Sequence, residues 1–186
     1  MREEIVIRGL RWFRSALVFA VVGGGLALCP TSAIAAVDSA PCSANSVSRQ
    51  LDYWLGNWTV TYPGASGSST SKVYLSLDQC LFIESWDNGT GHLGQNMFAY
   101  SPDDKAWYGM FADNQGHVHV FVDGKVASGS AEFNGPSRGA NGETVLNRVK
   151  IVGLAPDKVE QTWEKSTDKG GSWTTVFRGE YVRRNR

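Results

Sequence analysis

Glu84 stands in Phe82-Ile83-Glu84-Ser85-Trp86, with an aromatic residue two positions away on either side. On a β-strand, residues two apart share a face, so if that face is interior the carboxyl is buried among rings and needs a partner. Arg148, in Leu146-Asn147-Arg148-Val149-Lys150, is the charged candidate from across the fold. A buried Glu–Arg pair orients a ligand's polar group or, when loosely paired, moves a proton. The plainer reading is a structural ion pair or two exposed charges. The same alternation groups Trp107 with Gly109 and Phe111, and Gln161 with Trp163. Each set joins a large ring to something small or polar, which suits the lining of a small-molecule cavity. The competing reading has these rings simply filling the interior.

His117 and His119, two apart on an expected strand, offer a spacing that clamps Zn or Cu when a third ligand arrives. His92 is the one further histidine. Two imidazoles without a certain third ligand form an incomplete site, and the sequence implies neither a metal nor another cofactor. Nor does it carry a G-x-S-x-G elbow, or a Ser or Cys with a recognisable partner set.

The elements that must position these residues follow from period-two patterning and turn residues. Strands are expected at 57–62, 72–78, 80–87, 93–101, 106–112, 117–123, 126–133, 144–153, 158–165 and 173–182. The separating turns include Pro63-Gly64, Asn88-Gly89, Asp123-Gly124, a Gly/Asn/Pro-rich loop at 134–142, and Lys169-Gly170-Gly171. Before them, Val47, Leu51, Trp54 and Leu55 recur at helical spacing, so 46–55 is expected to make a short helical turn. Ten strands in an open sheet would leave long edges, and closure removes them. The expected fold is therefore all-β: an antiparallel up-and-down barrel of about ten strands, with Trp54 and Trp58 sealing its closed end. Ser166-Thr167-Asp168-Lys169-Gly170-Gly171-Ser172-Trp173 resembles the Asp-box hairpin of sialidase propellers. A propeller needs repeated blades, and a single copy reads as a tight turn whose Asp accepts from turn amides while the Trp packs back.

The first 36 residues have the order of a secretory signal: Arg2, Arg8, Arg11 and Arg14, then an apolar and glycine-rich stretch from Ser15 to Leu28, then Ala33-Ile34-Ala35-Ala36. Leu28 before Cys29 is too large for a lipoprotein box, so Cys29 is placed in the discarded signal and no stable membrane anchor remains. Residues 37–45 read as a flexible leader and 46–186 as one barrel domain. Removal of 1–36 leaves 150 residues with 14 basic and 16 acidic side chains. That balance lacks the basic patch nucleic-acid binding requires. Two cysteines remain, Cys42 and Cys80, and an even count in an exported chain reads as one disulfide. The location implied is periplasmic or extracellular.

Leu55-Gly56-Asn57-Trp58 resembles the G-x-W mark of the calycin superfamily, which holds lipocalins, fatty-acid-binding proteins and nitrobindin-like barrels. In those folds a basic residue of the last strand stacks over that Trp, a role open here to Arg178 or Arg183. The wider run Arg49-Gln50-Leu51-Asp52-Tyr53-Trp54-Leu55-Gly56-Asn57-Trp58, then Cys80, Glu84-Ser85-Trp86, Trp107, Gln161 to Asp168 and Trp173 to Tyr181, is similar to exported bacterial proteins of domain-of-unknown-function family 1579. The resemblance spans about Cys42 to Arg184. It implies a calycin-like barrel and brings no established activity.

The sequence thus points first to an extracytoplasmic module binding a small, largely apolar or aromatic molecule among Trp86, Trp107, Phe111 and Trp163, oriented by Glu84, Arg148 and Gln161. A cofactor-free isomerase, cyclase or lyase using Glu84 or a histidine, and a ligand-free interaction domain, are the alternatives.

Overall fold

The computed structural model describes residues 41–65 and 67–184; the signal segment expected at 1–36 lies outside them. Ten strands follow in chain order: β1 (Gly56–Thr61), β2 (Ser69–Ser76), β3 (Leu81–Asp87), β4 (Leu93–Ser101), β5 (Ala106–Asp113), β6 (Val118–Ala127), β7 (Ser130–Arg138), β8 (Thr144–Ala155), β9 (Lys158–Ser166) and β10 (Thr174–Arg183). Every strand pairs antiparallel with its neighbour in sequence, and β10 pairs back onto β1, which closes the cylinder. Closure leaves no sheet edge to bind a foreign strand. The fold is the up-and-down barrel that alternation and turn spacing imply.

Two turn expectations fail. Asp123-Gly124 does not reverse the chain. β6 runs through it to Ala127, and the turn comes at Ser128-Gly129, where Gly129 has φ +85°. Gly124 serves packing instead, since a Cβ there would stand 2.6 Å from Trp107 Cβ and 2.8 Å from a ring carbon of Phe133. Likewise, 134–138 belongs to β7 and not to a loop. β6 and β7 are paired only between Asp123–Ala127 and Ser130–Asn134, so Pro136 lies beyond the β6 ladder and its missing N–H removes no bond to β6.

The end of the barrel holding the turns after β2, β4, β6 and β8 is closed. Tight turns through 46–51 lead into a 3-10 turn (Asp52–Trp54), placing Leu51 and Trp54 over the interior, both fully buried. Trp54 meets Phe98 at 6.0 Å between ring centroids, and Phe98 stacks on Phe133 at 4.2 Å. Arg183, and not Arg178, covers Trp58, with its guanidinium carbon 4.2 Å from the ring centroid. It donates to Leu55 O (2.6 Å) and Pro156 O (3.1 Å), stitching the last strand to the entry turn. Gly56 is required there: its φ is +136°, and a Cβ would come within 2.3 Å of Arg183 Nη1. Arg178 lies outside, paired with Glu160.

Of the leader expected at 37–45, residues 37–40 lie outside the described residues, and the rest is more structured than its small polar residues imply. Pro41–Ala44 forms one helical turn, α1, and Cys42 is bonded to Cys80. The bridge ties the segment to the turn before β3. No helix among the described residues is long and apolar enough to cross a membrane. At the far end, the Ser166–Trp173 turn is held as its residue types imply. Asp168 Oδ1 accepts from Ser166 Oγ and Ser172 N, and Oδ2 from Ser172 Oγ.

Candidate functional site

Alternation on β3 turns Phe82, Glu84 and Trp86 inward, one above the other from the closed end toward the opposite mouth. Phe82 joins the core, Glu84 forms a floor, and Trp86 begins a wall. Above the floor lies a cavity of about 180 Å³ lined by Glu84, Trp86, His92, Asn96, Phe111, Gln161, Trp163, Phe177 and Tyr181. Five of the seven sequence-derived binding residues come together here: Glu84, Trp86, Phe111, Gln161 and Trp163.

The other two do not. Trp107 points inward, but lower down, where it packs against Phe82 (6.2 Å) and Tyr100 (5.8 Å) in the closed half. Arg148 is outside the barrel. Val145, Asn147, Val149 and Ile151 take the buried positions of β8, so strand alternation sends Arg148 outward. Its Nε donates to Glu164 Oε2 at 2.8 Å and its guanidinium covers Trp173 at 4.0 Å. Burial pushes the Glu164 carboxyl up, but hydrogen bonds and charge from Arg148 and Lys150 outweigh it and hold the group low.

Glu84, 1% exposed, has neutral partners in place of an arginine. Its Oε1 accepts from Ser71 Oγ and its Oε2 from Asn96 Nδ2, both at 2.7 Å. Register explains the trio: Val73 and Asn96 flank Glu84 on β2 and β4, and Ser71 sits across from Trp86. Burial drives the Glu84 proton affinity up, and the bonds from Ser71 and Asn96, with the Tyr181 hydroxyl close by, only partly reverse this. Tyr181, also fully buried, gives its hydroxyl proton to Gln161 Oε1; burial and the neighbouring Glu84 push its pKa well above the usual phenol value. Asn96 Oδ1 and the wall donor Trp86 Nε1 are buried without a hydrogen-bond partner among the described residues.

Two aromatic walls rise from this floor. Trp86 meets Phe177 edge-on at 6.3 Å on one side, and Phe111 meets Trp163 edge-on at 5.1 Å on the other. Trp163 is fixed by Nε1 donating to Asn147 Oδ1 (3.1 Å), and Asn147 in turn donates to Ser137 Oγ (2.8 Å). Such locked rotamers preorganise a cavity.

The histidines do not form the His117–His119 clamp that their spacing left open. His117 precedes β6 and places Nδ1 2.9 Å from Asp113 Oδ2, while His92 Nε2 lies 3.1 Å from the same oxygen. Asp113 therefore joins the β3–β4 and β5–β6 turns at the mouth. Burial raises its proton affinity, but bonds from His117, His92 and the Gln115 amide prevail and hold the carboxyl far below its usual value. His119 instead packs on Trp163 (4.8 Å) and Phe111 (6.2 Å), and burial, then the charges of Lys165 and His117, lower its basicity. Among the described residues, no group of three or more His, Cys, Asp or Glu is placed to hold a metal ion.

Sequence reading missed His92, Asn96, Phe177 and Tyr181 as lining residues. Three carried a signal, because Asn96 shares parity with the inward Phe98, and Phe177 and Tyr181 alternate around Gly179. His92 carried none, being placed by a turn. The fold and site define a closed ten-stranded antiparallel barrel with an internal cavity, aromatic above and polar below. A scan against protein-family models and a search of curated proteins both find no match to the chain.

Proposed function

We propose that this is an exported binding protein that holds one small, largely apolar or aromatic molecule inside its barrel. The observation that carries the reading is the cavity between two fixed aromatic walls over a hydrogen-bonding floor. Small-molecule sites combine mostly apolar linings with a few placed polar groups in this way. A cavity of roughly 150 Å³ admits a benzene-sized guest, so about 180 Å³ sets the ligand's scale at one ring with a short substituent. Export is supported by the Cys42–Cys80 bridge, which suits an oxidising compartment, and by the signal-like order of residues 1–36. The Arg183–Trp58 stack supports the calycin resemblance.

Trp86 and Trp163 report on the site directly. Titration with a panel of single-ring compounds changes tryptophan emission saturably, and Trp163→Phe removes part of that change. A panel of such compounds with no saturable response rejects the reading. A second reading, proton-transfer catalysis, is favoured by one observation: Glu84 is buried on the cavity floor, where burial raises its proton affinity. It requires Glu84→Gln to abolish turnover of a bound compound.

A further inference from the structure

The floor of the cavity holds a buried carboxyl with no cation beside it. Glu84 is buried, yet no Lys, Arg or His among the described residues forms an ion pair with it. An ionised carboxylate in such a place is costly unless something cationic joins it. The floor is also rich in acceptors. An ionised carboxylate offers about four lone-pair sites, and Ser71 and Asn96 fill one on each oxygen. Asn96 Oδ1 beside it has no donor at all. Around these acceptors stand the faces and edges of Trp86, Phe111, Trp163 and Phe177. Aromatic faces attract cations, most strongly where water is excluded. Trp86 Nε1, the unpartnered donor, belongs to the wall and makes no demand on the floor.

We propose that the cavity's ligand is a compact organic amine bound as its ammonium, with the N–H groups directed to Glu84 and Asn96 Oδ1 and the apolar body held between the aromatic walls. The proposal rests on the reading that the cavity binds a small molecule. The chain supplies the anion and the ligand supplies the cation, so that no arginine among the described residues need pair with Glu84.

Charge balance gives the reaction a measurable proton. In the free protein burial favours the neutral acid at Glu84; on binding the ammonium, Glu84 ionises and its proton passes to solvent. Affinity therefore rises with pH until Glu84 is ionised without ligand, and falls again once the amine loses its own proton. Around Glu84, β2 and β4 contribute Ser71, Val73 and Asn96, while Gln161 and Tyr181 share the cavity floor. Tyr181 is the one titratable group among these. His92 lines the same cavity nearer the mouth, where Asp113, His117, His119 and Lys165 also stand, and none of them forms an ion pair with Glu84.

The test uses the folded protein and three matched probes, benzylamine, benzyl alcohol and benzoate, by calorimetry and tryptophan emission. The expected result is that benzylamine binds at least about tenfold more tightly than benzyl alcohol, the scale of one charge-assisted hydrogen bond plus a cation–π contact, and that benzoate binds least. Calorimetry in buffers of different ionisation enthalpy, below the Glu84 transition, is expected to show release approaching one proton per benzylamine and none for benzyl alcohol. Glu84→Gln is expected to erase the preference for the amine. Equal binding of amine and alcohol with no proton release overturns the ammonium proposal and leaves the cavity-binding reading standing. Failure of all three probes and of the wider single-ring panel overturns both.

Discussion

The two halves of the barrel are built on one alternation and filled in opposite ways. In the closed half, inward positions are Trp58, Phe82, Phe98, Trp107 and Phe133, backed by Leu51 and Trp54 and covered by Arg183. In the half toward the mouth, β3, β4 and β5 continue as Glu84, Asn96 and Phe111, joined by Ser71 of β2 and by Gln161 and Trp163 of β9. The first half is packed ring on ring, with Gly109 and Gly124 leaving room for Phe98, Trp107 and Phe133. The second keeps a void and several polar groups that water-free packing would penalise. The contrast teaches that stability is concentrated at one end, which allows the other to retain a cavity and a buried acid. Barrels of about this size can be filled or hollow, and here the boundary between the two states runs across single strands, between Phe82 and Glu84 on β3 and between Phe98 and Asn96 on β4.

Substitutions at the two ends sharpen or break this contrast. Phe98→Ala, which removes a ring stacked on Phe133 and touching Trp54, is expected to destabilise by about 3–5 kcal/mol, measured by denaturant unfolding. A loss no larger than that of a cavity-wall change such as Phe111→Ala would break the assignment of stability to the closed half. Next in size is the bridge. Cys42→Ser with Cys80→Ser opens a covalent link spanning 38 positions and is expected to cost about 2–4 kcal/mol, again by unfolding. Ligand affinity should stay unchanged, because neither cysteine lines the cavity.

Glu84→Gln has a smaller effect that depends on pH. Burial raises the proton affinity of Glu84 above its ordinary value, so in the pH range between the two the native state binds more protons than the unfolded chain. Stability from this group is therefore fully present at acid pH and lost as pH climbs from the ordinary carboxyl range to the raised value. The slope is at most about 1.4 kcal/mol per pH unit. Glu84→Gln is expected to remove that slope in a set of unfolding curves across acid and neutral pH; an identical slope in both proteins would show Glu84 to be no more basic than a surface carboxyl. Smallest of all is Arg148→Ala. It breaks an outward pair with Glu164 and uncovers Trp173, and should cost under about 1 kcal/mol with unaltered ligand titration. A lost response to every ligand would return Arg148 to the interior.

Much of this was legible in the sequence. Alternation identified Glu84, Trp86, Phe111, Gln161 and Trp163 as sharing an interior, since away from bulges such as those in β6 and β10 a strand keeps its two-residue period regardless of its neighbours. The same rule, followed through Asn147, Val149 and Ile151, excludes Arg148. Opposite charge is a weaker guide than alternation here, because the Glu84 carboxyl is served by a serine and an amide. Trp107 shows the complementary limit: parity states which face a ring takes, not its height along the barrel axis. That height follows from register, Trp107 opposite Tyr100 and Gly124, and register is set by turns and bulges distributed over the sheet.

The chain's own residues determined the class of fold, the number of strands, the inward set and the cysteine pair, because these depend on local period, turn chemistry and count. Tertiary structure decided which inward residues meet across the cylinder, that Asp113 gathers His92 and His117 from two different turns, that Arg183 is the residue over Trp58, and that the void opens above Glu84 and not below it. Those outcomes depend on strand stagger around a closed barrel, a property of all ten pairings together that no single segment encodes.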